Sequence, residues 1–340
     1  MASYVIRRLL LIVPTVFFAI SFLFLLFFVL PGDPANLLAG GGDRIPNPIR
    51  VEQVNDKYGL DDPIATQFVN YWKRTLTWDL GESFATGRSV NEILGDRAKN
   101  SLRLGVWAII AEVLIGIGIG VYSAIRRGSW VDKLSTVGTA VLSAVPIFVL
   151  GYAFQYWFAV YPNTHDWPQW ARLRTSQIGP PGSGDGSWFL FFIPTGEQWR
   201  YVVLPALTMA AVSTALVARL TRSSMLGVLD ADYMRTARSK GLDERRIVLR
   251  HGVRNAMLPV ITLIGLDLGA VIGAAVLIET VFSWPGLGST IANAVEDRDL
   301  PVVLGLTLVV VLVYSIVNLA IDISYAWFDP RVRLAKRDDT

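Results

Sequence analysis

The stretch Val302–Trp327 reads VVLGLTLVVVLVYSIVNLAIDISYAW, and Asp322 is its only charged residue. Such a run predicts a helix that crosses a bilayer, because hydrocarbon offers no partner for free backbone N–H and C=O groups. Hydrophobic residues make up 52% of the 340 residues and charged residues 17%. The composition therefore predicts an all-α membrane protein and argues against a soluble one.

Other apolar runs of similar length precede this one. The first of them resembles a signal peptide, but 22 residues of helix rise roughly 33 Å, which suits a retained transmembrane helix. Together with Val302–Trp327, the runs predict six transmembrane helices. They are Leu9–Leu30, Leu102–Ile125, Leu134–Val160, Val202–Leu220 and Val260–Phe282.

Basic residues near the ends of these runs predict the orientation, because they favour the cytoplasmic side. Their distribution places both termini in the cytoplasm and the connections 31–101, 161–201 and 283–301 outside. The basic groups are Arg7 and Arg8, then Arg126, Arg127 and Lys133, then a cluster within 219–254, and finally Arg331, Arg333, Lys336 and Arg337.

The chain divides into segments along this topology. Residues 1–30 hold the N-terminus and the first helix, 31–101 form a folded extracytoplasmic cap, 102–327 form the core membrane domain, and 328–340 form a cytoplasmic tail. The core includes an outer loop, 161–201, and a cytoplasmic loop, 221–259. In the cap, Pro31–Pro34 predicts a turn and Ile64–Leu76 an amphipathic helix.

Several classes of chemistry are excluded by what the sequence lacks. There is no cysteine, there are only two histidines, and no phosphate-cradling glycine loop is present. The sequence therefore predicts neither a catalytic residue nor a metal or cofactor site in this chain, which is not expected to be an enzyme. The net charge of +3 is local to the loops, so no nucleic-acid partner is expected.

Four carboxylates fall within or near the predicted transmembrane helices and must face protein or water. Glu112 and Asp267 lie deep, whereas Glu279 and Asp322 lie near helix ends where water is close. They are candidates either for interhelical hydrogen bonds or for ion coupling in a secondary carrier. Pro146, in the middle of a long run, predicts a helix kink.

The densest charge lies between the fourth and fifth predicted transmembrane helices. There Asp232 is expected to cap a short helix that ends at Gly241, and Asp243 to cap a second one. A basic stripe of Arg246, Arg250 and Arg254 follows. Topology alone needs only a few basic residues, so a partner protein explains the capped helices better.

These residues resemble a known family. Thr236-Ala237-x-x-x-Gly241, continuing to Arg250-His251-x-x-Arg254-Asn255-Ala256-x-Leu258-Pro259, is similar to the EAA loop of ATP-binding-cassette (ABC) importer permeases. The chain most resembles the B-type subunit of dipeptide and oligopeptide importers. Further landmarks in the same order are Leu30–Pro34, Leu80–Ser83, Glu279–Gly288 and Asp329–Arg331.

The resemblance implies a type I ABC importer permease fold in which 221–259 is the EAA loop and Tyr233–Gly241 the coupling helix. Arg235 and Thr236 stand where the family has Glu and the first Ala. Small side chains there would permit close docking of an ATPase. The implied ATPase-coupling residues are Tyr233, Arg235, Thr236, Ala237, Arg238 and Gly241.

The resemblance to ABC importer permeases also implies partner proteins and a cellular location. The partners are a second, C-type permease subunit, one or two ABC ATPase subunits that bind ATP and Mg, an extracytoplasmic substrate-binding protein, and membrane lipid. The location is the bacterial cytoplasmic membrane, with several passes.

The resulting functional hypothesis is ATP-driven import of di- and oligopeptides, with the pathway shared between two permease subunits. Alternatives are the same importer class with a nickel chelate or glutathione as substrate, an ion-coupled carrier using Glu112 or Asp267, and a membrane anchor or receptor subunit without a pathway.

Overall fold

The structure is a computed structural model that describes residues 2–29, 49, 51–52, 55–56, 59–174 and 188–328. Two predicted features lie outside these residues: the turn Pro31–Pro34 and the cytoplasmic tail, of which only residue 328 is described. The side chains of Arg7, Arg8 and Asp322 also lie outside the described part, although their backbone belongs to helices.

The described chain is mostly helical, with one small hairpin. The helices are α1 (Ala2–Phe24, continued by a π-helix at Leu25–Val29), α2 (Ile64–Leu76), α3 (Val90–Ile125), α4 (Trp130–Ala144), α5 (Ile147–Gln155, continued by a π-helix at Tyr156–Val160) and α6 (Tyr161–Thr164). A 3₁₀ turn at Gln169–Ala171 and strands β1 (Trp188–Phe189) and β2 (Ile193–Pro194) follow. Then come α7 (Trp199–Leu229), α8 (Asp232–Ser239), α9 (Glu244–Arg246, continued by a π-helix at Ile247–Val253), α10 (Arg254–Val281), α11 (Leu287–Glu296) and α12 (Leu300–Phe328).

The chain forms two compact units, one of residues 1–101 with 285–340 and the other of residues 102–284. In the first unit, Val90 packs with Val302 and Leu306 in a buried cluster. Gly305 permits this approach, because a Cβ atom there would lie 2.7 Å from Cγ1 of Val90.

A buried carboxylate organises a loop of the first unit. Asp299 accepts a hydrogen bond from Ser83 Oγ at 2.5 Å and from the backbone N–H groups of Phe84 at 3.1 Å and Ala85 at 3.3 Å. This explains a landmark, Leu80–Ser83, that the sequence shows without revealing its role. The serine and the N–H groups after it hold the loop against the start of α12.

In the second unit, α7 is the central helix. In the most apolar stretch of α7, 72% of the residues are buried, compared with 28% in the corresponding stretch of α3. Protein therefore surrounds α7, whereas much of the surface of α3 is exposed. Small side chains such as Ala206, Ala210 and Ala215 line α7 and allow α4, α5 and α10 to pack against it. This is the close packing that membrane helices favour.

Two glycines of α3 fit against α7. A Cβ atom at Gly116 would lie 2.8 Å from Cγ1 of Val217, and one at Gly120 would lie 2.5 Å from Cβ of Thr221. These glycines therefore serve packing within one chain. By contrast, a Cβ atom at Gly273 on α10 would meet nothing within 4 Å.

Among the described residues, four helices are long and apolar enough to cross a membrane: Val90–Ile125, Trp199–Leu229, Glu244–Gly269 and Leu300–Ile321. The pair Trp130–Ala144 and Ile147–Thr164 passes the same test as one broken transmembrane segment. A shorter apolar helix, Leu10–Phe24, lies within the first predicted run. The number of six transmembrane helices and the cytoplasmic position of the termini stay predictions.

The region of Pro146 is a break between two helices. α4 ends at Ala144, α5 begins at Ile147, and the two segments meet at 110°. Val145 and Pro146 have extended ψ angles of 130° and 139°. The chain therefore changes direction at Pro146, as the sequence predicts. The change is a break between two helices rather than a kink within one helix.

Two further predictions concern loops. α2 has the bounds predicted for the amphipathic helix, and the turn before it closes through a hydrogen bond from Asp62 N to Gly59 O at 3.1 Å. In the outer loop, Trp188–Phe189 and Ile193–Pro194 form the β1–β2 hairpin, a departure from the all-α prediction. Arg103 anchors this hairpin by donating from Nε to Phe191 O at 2.8 Å.

Candidate functional site: a connector segment and a buried carboxyl pair

We call residues 230–253, which join α7 to α10, the connector segment. Its first helix, α8, begins after Ala231, whose ψ is 149°, and no side chain caps it. The prediction that Asp232 caps this helix is wrong: Asp232 lies inside its first turn, because Ala231 already supplies the extended backbone of the cap. The acidic group still suits the positive end of the helix dipole.

The end of α8 and the start of α9 agree with the prediction. Gly241 has φ +73°, the left-handed conformation that glycine adopts without strain after a helix. Asp243 caps α9 by accepting from the N–H of Arg246 at 3.3 Å. The connector segment is therefore a helix, a glycine turn and a second helix.

Met234 fixes α8 to the rest of the second unit. It is fully buried, and a Cβ atom at Gly252 would lie 3.5 Å from both Met234 Cε and Met225 Cε. Because Gly252 has no side chain, Met225 and Met234 both fit against the π-helix Ile247–Val253. Burying one methionine side chain contributes roughly 1.5–3 kcal/mol, which holds α8 in place as a unit.

The remaining side chains of α8 face outward. Arg238 donates to both carboxylate oxygens of Glu244, at 2.9 and 3.2 Å, and so ties the end of α8 to α9. This guanidinium lowers the pKa of Glu244 below its ordinary value. Tyr233 is 45% exposed, and its hydroxyl accepts from Asn255 Nδ2 at 3.3 Å.

The predicted coupling residues therefore lie together on one short helix. Arg235 and Thr236 are exposed, and Ala237 is half-buried. Arg235 lies 3.8 Å from Asp232 in a solvent-exposed pair, and Thr236 donates to Asp232 O at 3.1 Å. Their contact with an ATPase stays a prediction.

The basic stripe follows the connector segment into α10. Arg246, Arg250 and Arg254 are all exposed, as the prediction requires. Between the first and the last of them the backbone is a π-helix, Ile247–Val253, whose inner face buries Ile247 and Val248. Short π-helical stretches are rare and occur frequently at functional sites.

An ion pair that the sequence did not reveal lies close to this segment. Asp132, at the start of α4, is 4% exposed and accepts from Arg222 Nε at 2.5 Å and from Nη2 at 2.9 Å. Ser123 Oγ at 2.5 Å and Gly128 N at 2.9 Å donate to the same carboxylate. One carboxylate thus joins α3, α4 and α7 beside the connector segment.

The two deep carboxyl groups meet. Glu112 on α3 is 1% exposed and interacts with Asp267 on α10. Oε1 of Glu112 and Oδ2 of Asp267 are buried and have no hydrogen-bond donor among the described residues. The structure therefore places two carboxyl groups from α3 and α10 side by side in a buried position.

The other two carboxylates do not belong to this pair. Glu279 lies roughly 18 Å further along α10, by the rise of an α-helix, and is fully buried rather than close to water. The sequence requires such a carboxylate to face either protein or water, and Glu279 faces protein. Asp322 lies on α12 in the other unit, with its side chain outside the described part.

Comparison with known proteins assigns the chain to a family. Residues 116–334 match the model of the binding-protein-dependent transport system inner membrane component, and residues 1–112 match the model of its N-terminal region. The glutathione transport system permease protein GsiC of Escherichia coli K12 is 36% identical over 336 residues, covering 98% of this chain and 99% of the relative.

A second relative shows the same extent of similarity. The protein of the same name from Salmonella typhimurium LT2 is 36% identical over 335 residues, covering 98% of this chain and 99% of the relative. The similarity therefore extends over nearly the whole chain. The chain belongs to the binding-protein-dependent transport system inner membrane component family and is a non-catalytic, multi-pass permease subunit of a bacterial ABC importer.

Proposed function

We propose that this permease imports small peptides, together with a second permease subunit that completes the translocation pathway. The observation that carries the proposal is the similarity over 98% of the chain to permeases named for glutathione, itself a small peptide. Di- and oligopeptides are the wider substrate class. A substrate-binding protein delivers the peptide outside, and partner ATPases, which hold the ATP and Mg, drive the cycle.

The connector segment receives the movement of an ATPase in this proposal. Coupling between an ATPase and a membrane pathway needs a stiff element whose contacts differ between two states. α8 meets the need for stiffness, because buried Met234 and the Arg238–Glu244 pair hold it at both ends. Its exposed face, with Tyr233, Arg235 and Thr236, is left for the partner.

The experiment adds bulk at half-buried Ala237, beside this face. Ala237→Trp is expected to reduce glutathione and dipeptide uptake by the reconstituted transporter at least tenfold, with ATP hydrolysis no longer stimulated by the binding protein. Gly241→Val tests the glycine turn, and its control is Gly87→Val. Gly87 has a similar φ, +69° against +73°, and open space around it, but lies in the predicted outer cap.

The control separates backbone strain from coupling. Gly87→Val should leave uptake within about twofold of wild type. If Ala237→Trp and Gly241→Val also transport at the wild-type rate, the connector segment is not the coupling element. Uptake of neither glutathione nor any dipeptide by the wild-type assembly would refute the substrate class while leaving the family assignment intact.

A second candidate function rests on the contact between Glu112 and Asp267. Buried carboxyl groups within membrane helices are the residues that an ion-coupled carrier would use. This candidate predicts uptake by the isolated chain in vesicles without ATP, abolished by Glu112→Gln. ATP-dependent uptake that survives Glu112→Gln would assign the pair to helix packing.

A further inference from the structure

The loop region 161–201 contains a polar cavity. It has a volume of about 300 Å³, and the described residues that line it are Asn163, Gln169, Arg172, Arg174, Glu197 and Arg200. Its size is at the lower end of the range for small-molecule sites. All three arginines of the 161–201 loop line this one cavity.

The charge of the cavity is not balanced. Glu197 is the one carboxylate among the described lining residues, and its Oε1 lies 3.4 Å from Nη1 of Arg200. Arg172 has an exposed partner of its own, Asp166 at 3.4 Å. No ion pair of Arg174 occurs within residues 59–174 and 188–328, so the described residues give the cavity a net positive charge.

Arg200 has hydrogen-bonding capacity to spare. Its side chain is 16% exposed, and its Nε is buried without a hydrogen-bond acceptor in the described part of the chain. A buried donor left unsatisfied costs about 1–3 kcal/mol, and more when it is charged. An acceptor supplied by a ligand would recover this free energy.

These arginines lie on the side of the membrane where arginine is least expected. The loop 161–201 is predicted to lie outside, where topology disfavours arginine and lysine. Three arginines gathered around one cavity there are consequently not explained by orientation. The planar guanidinium is the side chain best suited to carboxylates, which it can bind with two parallel hydrogen bonds.

We propose that this cavity is a carboxylate-binding site that receives a carboxylate group of the substrate on its way into the permease. The inference rests on the proposed function, in that a free peptide or glutathione carries the carboxylates concerned. Arg174 and Arg200 hold the carboxylate, Arg172 adds to the positive field, and Asn163 and Gln169 bind neighbouring amide groups of the ligand.

Binding is measured first, without transport. The purified permease–ATPase complex, without its binding protein, is titrated with glutathione and with glutathione dimethyl ester, which lacks the negative charges. We expect the wild type to bind glutathione about 10- to 100-fold more tightly than the ester, as for loss of charge-assisted hydrogen bonds. Arg174→Gln and Arg200→Gln should reduce binding of the acid to the level of the ester.

The control removes a positive charge elsewhere. Arg88→Gln breaks an exposed pair with Asp96 in the cap and should bind glutathione like the wild type. Equal binding of acid and ester, or wild-type binding by both cavity variants, overturns the proposal. So does a loss shared by acid and ester, which would indicate a general structural effect.

Transport then separates this inference from the proposed function. If the wild-type complex binds the acid through the arginines but the complete transporter imports no peptide, the carboxylate site stands and the proposed substrate class fails. If peptide import proceeds with an unchanged KM for the acid in Arg174→Gln and Arg200→Gln, the site fails and the proposed function stands.

Discussion

Asp132 and Arg222 form a two-point ion pair, with Nε–Oδ1 and Nη2–Oδ2 distances of 2.5 and 2.9 Å, across 90 residues of sequence. The carboxylate is buried, whereas 30% of the arginine side chain is exposed. Asp132→Asn should therefore destabilise the protein by about 2 kcal/mol, below the 3–5 kcal/mol of fully buried pairs. Thermal unfolding of the wild type and of Asp132→Asn in detergent measures this loss of stability.

Asp230→Asn provides the matched control for that prediction. Asp230 lies 3.4 Å from Arg127, but both side chains are more than half exposed, at 72% and 64%. Its loss should cost less than about 0.5 kcal/mol. Equal stability of the two variants would show that the Asp132 pair contributes no more than an exposed one.

Glycine at position 120 permits the contact between α3 and α7. In Gly120→Ala the new Cβ would lie 2.6 Å from the carbonyl oxygen of Ala218 and 2.5 Å from Thr221 Cβ, so the helices must separate. We expect a loss of about 1–3 kcal/mol. Gly118→Ala, on the same helix with nothing within 4 Å, should fold and melt like the wild type.

The Arg238–Glu244 pair should make the connector segment sensitive to acid. Because the pKa of Glu244 is lowered, the pair's contribution is complete above the ordinary glutamate pKa of about 4.3 and is lost as the pH falls through the lowered value. The side chains are 41% and 60% exposed, so the contribution is below about 1 kcal/mol.

Local mobility is the suitable measurement, because the protein has no cysteine and Ser239→Cys accepts a single spin label. The label should be equally ordered from pH 8 to pH 5 and become more mobile only below the ordinary glutamate pKa of about 4.3. In Glu244→Gln it should be mobile at every pH. The same order in this variant and in the wild type at pH 7 would contradict the prediction.

Asp299 should hold the loop that contains Ser83. In Asp299→Asn an amide NH₂ group replaces one carboxylate oxygen, which accepts a hydrogen bond from Ser83 Oγ or from a backbone N–H. The NH₂ group then faces another hydrogen-bond donor, and that hydrogen bond is lost. We expect a loss of about 2 kcal/mol and faster proteolysis near residues 83–87. Asp297→Asn, at an exposed position in the same turn, should be cut at the wild-type rate.

The sequence predicted best what depends on neighbouring residues. The bounds of α2 follow from its amphipathic spacing, the cap at Asp243 from its side chain, and the end of α8 from Gly241. The cap of α8 was misplaced by one residue, because the extended backbone of Ala231 leaves no signal in the identity of its side chain.

Contacts between distant residues were missed. Arg222 was counted only as a topology signal, and a single sequence does not indicate that it pairs with Asp132. Glu112 and Asp267 were both selected for their depth, yet their mutual contact depends on how α3 and α10 pack. The arginine cavity likewise needs residues 163–174 and 197–200 to be brought together, which no local pattern encodes.

The helical backbone runs unbroken from Glu244 to Val281, with the π-helix at Ile247–Val253 as its one wide turn. No loop separates the connector segment from the helix that carries Asp267, and Pro259 is the one residue between them that lacks a backbone N–H. Tightening the wide turn by one residue would rotate one end relative to the other by roughly 100°, the angle per residue of an α-helix. A change of one residue in this turn would therefore change the direction in which the Asp267 side chain points.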